Sequence, residues 1–227
     1  AVAGDTVRVA PGNYAAGGLA VHGGLTSRVA LVKAVTLRGA DGPQAPFIVG
    51  GAATGGGNGE GAVRCAYVGT GAVLSGFVLT NGHTRAAGGT VVERRGGGSW
   101  CAAGGVVSNC VLVGNSSSLR GGGAAYGTLW NCLLAGNSSD GGGGAYQAEL
   151  LNCTVEDNTA WTEGGGASGC TVHKLELLWI GVDKRLEIWF DVANVSGQRG
   201  RGVSDRFTPG GSPHGSGASP HKKKEPS

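Results

Sequence analysis

The sequence predicts an all-β fold, a parallel β-helix: a solenoid of about eight coils of 21–22 residues, followed by an irregular C-terminal segment. One observation is an internal repeat. Ser108-Asn-Cys-Val-Leu-Val-Gly-Asn115, Trp130-Asn-Cys-Leu-Leu-Ala-Gly-Asn137 and Leu151-Asn-Cys-Thr-Val-Glu-Asp-Asn158 share one pattern, spaced 22 and then 21 residues apart. A second is alternation: Cys110 and Leu112, Cys132 and Leu134, Cys153 and Val155 occupy every other position, the period of a strand with one face buried. A third is glycine, 48 residues of 227, where an average chain holds about 7%. The glycine runs end at Gly123, Gly144 and Gly166, in step with the repeat. A unit this short suits three strands and three turns. Helical solenoid repeats run to about 33–47 residues, and the leucine scaffold of a leucine-rich repeat is missing.

Gly4-Asp-Thr-Val-Arg-Val-Ala-Pro-Gly-Asn-Tyr14 reads as a strand ending in a Pro-Gly turn,. Val29–Val32, Val35–Arg38 and Phe47–Val49 read as strands of less regular first coils, with a turn at Ala40-Asp-Gly-Pro43. Leu74-Ser-Gly-Phe-Val-Leu-Thr-Asn81 is a diverged copy of the repeat. From Phe77 to Cys110 is 33 positions, more than one coil, so residues 83–95 are expected to leave the stack as a loop. That loop carries His83, Arg85, Glu93, Arg94 and Arg95. The repeat fails after Val172, where Lys174 and Leu175 stand in for Asn152 and Cys153. The expected organisation is therefore a solenoid over 1–172, a hairpin or degraded coil over 173–195, and a disordered basic Gly/Ser/Pro tail over 196–227. Leu177-Leu-Trp-Ile180 and Ile188-Trp-Phe190 are apolar at consecutive positions. The segment holding them is expected to pack poorly and to promote self-association through exposed ends of the solenoid. The loss of the repeat at Lys174 reads as truncation or a reading-frame change, and the absence of methionine as a processed product or a fragment.

Charge narrows the partners. Residues 196–227 carry six Lys/Arg and two Asp/Glu, which leaves the body close to neutral. A neutral body argues against nucleic acid, which needs a basic face. No apolar run reaches the ~18 residues of a membrane-spanning helix. No Cys-x-x-Cys pair offers zinc spacing, and the glycine runs lack the Asp of calcium-binding rolls. No cofactor, metal or catalytic set is expected: Asp140, Glu149, Glu156, Asp157 and Glu163 form no column of carboxylates.

The repeat also nominates residues. Asn115, Asn137 and Asn158 fall at one point of each coil and are expected to stack as a ladder, each amide bonded to the next. Cys110, Cys132 and Cys153 are expected as an inward column of reduced thiols. Asn115-Ser-Ser and Asn137-Ser-Ser are also glycosylation sequons,. Trp100, Tyr126 and Tyr146 follow the glycine runs; facing outward they would stack on sugar rings, facing inward they would be core. Arg95, Arg120, Asp140 and Glu163 precede those runs, which would set Arg120 beside Asp140.

Gly-Gly-Gly-Ala-Ala-Tyr126, Asn131-Cys132 and Gly136-Asn137 resemble repeats of secreted bacterial right-handed β-helix proteins of the pectin-lyase-like superfamily. They are similar also to those of chlamydial polymorphic outer membrane proteins. Gly4 to Gly12 and Val35 to Pro43 look like the first two coils of such proteins. The resemblance covers about residues 1–172. It implies a right-handed helix at the bacterial cell surface or outside the cell, acting as a stalk or passenger with polysaccharide or host-surface glycan as partner. It also implies an alternative, the remnant of a polysaccharide lyase or glycoside hydrolase. Against that alternative, the Asn-Thr-Asp, Asp-Asp and Gly-His-Gly elements of the hydrolases are missing; Asn158-Thr159-Ala160 comes nearest and lacks the carboxylate.

Overall fold

A computed structural model describes residues 1–39 and 45–173. The chain divides into two compact units, Ala1–Val195 and Ser196–Ser227, and every described residue belongs to the first. The expected turn at 40–43 and tail at 196–227 lie outside the described residues, as does the 173–195 segment beyond His173.

The described chain is all-β and built on parallel sheets, an arrangement consistent with a β-solenoid. One sheet joins Thr6–Val9, Thr36–Gly39, Val73–Ser75, Val106–Ser108, Thr128–Trp130, Glu149–Leu151 and Thr171–His173. A second joins Asn13–Tyr14, Phe47–Val49, Val78–Thr80, Val111–Val113, Leu133–Ala135 and Thr154–Glu156. A third joins Leu19–His22, Leu25–Leu31, Val63–Val68, Ser99–Cys101, Ala124–Ala125, Ala145–Tyr146 and Ala167–Ser168. Ser138–Gly141 and Thr159–Glu163 pair as a short fourth. The chain visits the first, second and third sheets in turn, so each strand pairs with its counterpart one circuit on, 30–37 residues away at the N-terminal end of the first sheet and 21–22 from Val106 onward. Thr128, for instance, lies opposite Glu149.

Alternation decides what is inside. Leu74, Val107, Leu129 and Leu150 form one column, and Ile48, Leu79, Leu112, Leu134 and Val155 another, all buried. Each such side chain contributes about 1.5–3 kcal/mol by leaving water. The glycine runs let the third sheet close over this core. A methyl on Gly123 would lie 2.6 Å from Gly144 O and 3.0 Å from Asn137 Nδ2. The ladder amides thus occupy the space a side chain would need.

Two features depart from the expected path. Leu19–His22 runs antiparallel to Leu25–Leu31, through a turn in which Gly23 takes φ +60°. This hairpin has no repeat spacing, because it leaves the parallel order. The excursion between Thr80 and Ser99 is not bare loop: it carries a 3-10 turn, Val91–Arg94. Among the described residues no helix is long and apolar enough to cross a membrane.

Candidate functional site

The three repeat asparagines lie in one column, Asn115 and Asn137 buried at 1% and 0% exposure and Asn158 half-buried. Asn115 Nδ2 donates to Asn137 Oδ1 at 3.0 Å, and Asn137 Nδ2 donates to Asn158 Oδ1 at 2.9 Å. The second amide hydrogen of each goes to a carbonyl of the preceding strand: Leu79, Leu112 and Leu134. Each Oδ1 also accepts a backbone N–H, at Asn115 that of Gly82 at 2.9 Å. Buried amides so occupied are not glycan acceptors. A second ladder, which the repeat did not announce, is exposed: Asn131 Nδ2 donates to Asn109 Oδ1 at 2.7 Å and Asn152 Nδ2 to Asn131 Oδ1 at 3.0 Å.

Cys110, Cys132 and Cys153 are buried, as are Cys65, Cys101 and Cys170, and all six are free thiols. Burial pushes Cys65 and Cys101 up to about 12, and Cys110 and Cys170 up to about 11. Cys132, in contact with Cys153 and buried, also moves upward.

The groups left for recognition lie on the third sheet. Trp100, Tyr126 and Tyr146 are half-buried on its outer side. Their places are not equivalent, as the sequence had them. Trp100 pairs with Ala125, and Ala125 with Tyr146, while Tyr126 sits one position later with φ +63°. Counted from the last glycine of each run, Trp100 and Tyr146 are second and Tyr126 third. The rings still meet edge to face, 5.8 Å between Trp100 and Tyr126 and 6.0 Å between Tyr126 and Tyr146. The row extends the other way through two residues the repeat did not reveal. Tyr67 stacks on Trp100 at 5.3 Å, and His22 packs against both. Tyr67 was legible in principle, since it precedes Trp100 by the same 33 positions that separate Phe77 from Cys110. His22 was not, since the antiparallel hairpin delivers it.

Two guanidinium groups cap the row. Arg95 Cζ lies 5.7 Å from the Tyr126 ring centre and 4.9 Å from that of Tyr146, and Arg120 Cζ lies 5.0 Å from Tyr146. Arg95 also hydrogen-bonds the Tyr126 hydroxyl. The expected ion-pair partner of Arg120 is corrected here: it is Glu163, two strands along, while the nearby Asp140 charge acts on Arg120 as a lesser influence. Arg120 lies in register with Gly141, and Gly141 with Glu163. Glycine leaves a lane between them, in which a methyl would sit 3.5 Å from Arg120 Nη1 and 3.3 Å from Glu163 Cγ. Burial works to lower the Arg120 pKa, but the hydrogen bond and charge of Glu163 hold it above its usual value.

The excursion of residues 81–98 flanks this row. Arg64, buried on the same strand as Tyr67, donates to Gly96 O at 2.8 Å, Val92 O at 2.5 Å and Arg95 O at 2.7 Å. Burial lowers its pKa to about 9, which leaves it charged near neutrality. The remaining candidate carboxylates are dispersed. Asp157 occupies a corner at φ +51°, and Glu149 accepts from Thr128 and faces His173 at 3.6 Å. Comparison with known family models, curated proteins and solved structures finds no match to the chain.

Proposed function

We propose that residues 1–172 form a right-handed parallel β-helix of about eight coils, a non-catalytic stalk or passenger of an extracellular or cell-surface protein that binds glycan along its aromatic row. The right-handed reading is supported by the general rule that parallel crossovers are right-handed in about 98% of cases. The observation that carries the binding reading is the unbroken run Tyr67, Trp100, Tyr126, Tyr146 with Arg95 and Arg120 over its end. Sugars present apolar C–H faces to aromatic rings and hydroxyls to planar, multiply donating guanidinium groups. Rings repeating along a sheet suit a polymer better than a single small molecule.

The test is a glycan array probed with the full chain, followed by titration of the best-retained glycan against Tyr146→Ala and Arg95→Ala. A ring contact carries about 0.5–1.5 kcal/mol beyond area burial, so each variant is expected to bind several-fold more weakly. Retention of no glycan, or equal binding by both variants, refutes the reading. Unsaturated products from pectin, abolished by Glu156→Gln or Asp157→Asn, would move the chain to the enzymes instead.

A further inference from the structure

The Glu93 carboxylate has an environment unlike any other acid in the described chain. It is 2% exposed. It accepts the Thr90 N–H at 2.6 Å from its own 3-10 turn and the Gly24 N–H at 2.7 Å from the hairpin 69 residues earlier. Arg85 Nη1 stands 3.7 Å away. A methyl on Gly23 or Gly89 would collide with the carboxylate, so glycine on both sides keeps the seat open. The ends of this segment are anchored separately. Thr84 is held by Asn58 and Ser118, Arg85 N donates to Glu93 O at 3.0 Å, and Leu119 N donates to Arg94 O at 3.0 Å. Arg64 separately holds Val92 O, and the carboxylate supplies the hydrogen-bonded tie between residues 85–93 and the Gly23–Gly24 turn, against which the Arg85 guanidinium also packs.

We infer that residues 85–93 are a strap latched onto the hairpin by Glu93 and released when that carboxylate takes up a proton. The charged groups around it are Arg85 from the strap and Arg64 from the strand Val63–Val68. The hairpin contributes its Gly24 amide, while its His22 ring is turned to Tyr67 and Trp100. The hydrogen bonds from Thr90 and Gly24, against the cost of burial, hold Glu93 below its ordinary carboxylate range. A carboxylate depressed in the folded state stabilises the closed strap above its unfolded pKa. That contribution is lost as pH falls through the folded one. The latch is therefore closed near neutrality and opens only in acid, below the ordinary carboxylate range. Protonation also removes the carboxylate facing Arg85 and loosens the hairpin that brings His22 to the row. Only this last consequence rests on the glycan-binding reading.

Amide hydrogen exchange on the full chain, followed by NMR from neutral pH into acid and corrected for intrinsic rates, tests the latch without any ligand. Gly24 and Thr90 amides are expected to lose protection by about tenfold or more in acid, while Leu112 and Leu134 keep theirs. In Glu93→Gln, whose side chain keeps one acceptor oxygen, at least one of the two amides should lose protection across the whole range. Loss of protection at Gly24 and Thr90 only together with Leu112 and Leu134, or full protection in Glu93→Gln, overturns the inference. Should the variant fail to fold, the wild-type titration alone decides. Absence of glycan binding would leave this result unaffected.

Discussion

At the scale of single residues, left-handed corners explain substitutions that looked like chemistry in the sequence. Asn81, Gly114, Gly136 and Asp157 take φ of 54°, 63°, 59° and 51° at matching turns. Gly76, Asn109, Asn131 and Asn152 share a second corner at 79°, 50°, 54° and 51°. Asp157 thus stands in a glycine position by virtue of its backbone, and its carboxylate is incidental to that role. Left-handed geometry costs an ordinary L-residue roughly 1–2 kcal/mol, so Asp157→Val should destabilise by about that amount and Asp157→Gly should not. Chemical denaturation of both variants measures the difference; equal midpoints would contradict the corner assignment. The inner ladder makes a larger claim. Asn137 uses both amide hydrogens and its oxygen, all out of water. Asn137→Ala leaves those partners unsatisfied and should cost at least about 1–3 kcal/mol. An unchanged denaturant midpoint would show that the column does not bear on stability. The inner asparagines were legible because spacing alone selects them. The corner glycines, asparagines and aspartate were not, because three residue types serve one backbone shape.

At the scale of elements, one extra residue moves a whole set of contacts. Ser139 pairs with Ala160 and Gly141 with Glu163, so Trp161 and Thr162 together face Asp140. This bulge accounts for the step from 21 to 22 residues between glycine runs, and it extrudes Trp161 to 86% exposure,. Counting back from the first glycine of each run set Asp140 beside Arg120 because Gly141 stands in Arg120's register place and lengthens its run to four glycines. Deleting Trp161 would restore equal spacing. Since the side chain packs against little, that variant is expected to fold with a thermal midpoint within a few degrees of the parent, corresponding to less than about 1 kcal/mol. A collapse of the melt would mean that the bulge holds the sheet together. The Arg120–Glu163 pair is itself partly exposed, at 29% and 39%. Glu163→Gln should accordingly change stability by no more than about 1 kcal/mol, while leaving Arg120 free to engage another acceptor.

At the scale of the whole described unit, the sequence revealed the parallel architecture but only part of the aromatic row. Stacking turns a sequence period into spatial neighbours, so Trp100 and Tyr146 could be found by counting, with Tyr126 one position off their register. Non-periodic segments escape that logic, which is why His22 and the Glu93 seat required coordinates. Burial of all six cysteines yields a global expectation. A thiol reagent at neutral pH should label none in the native protein and six after denaturation, followed by absorbance. A thiol that reacts at once without denaturant would mean that the core is open. The sheet register carries one more consequence, a kinetic one. From Thr128 onward each strand joins a template that was laid down 21–22 residues earlier, so every addition over that stretch closes a loop of nearly the same size. Loop-closure entropy rises with loop length, and over that stretch the length is nearly constant. Folding should therefore behave as growth from a seed, with a costly first pair of strands and cheaper additions after it. The inner asparagines give the growing face a polarity, since each offers Nδ2 forward to the next Oδ1. Such a chain can order itself progressively, one strand after another, without waiting for its distant end.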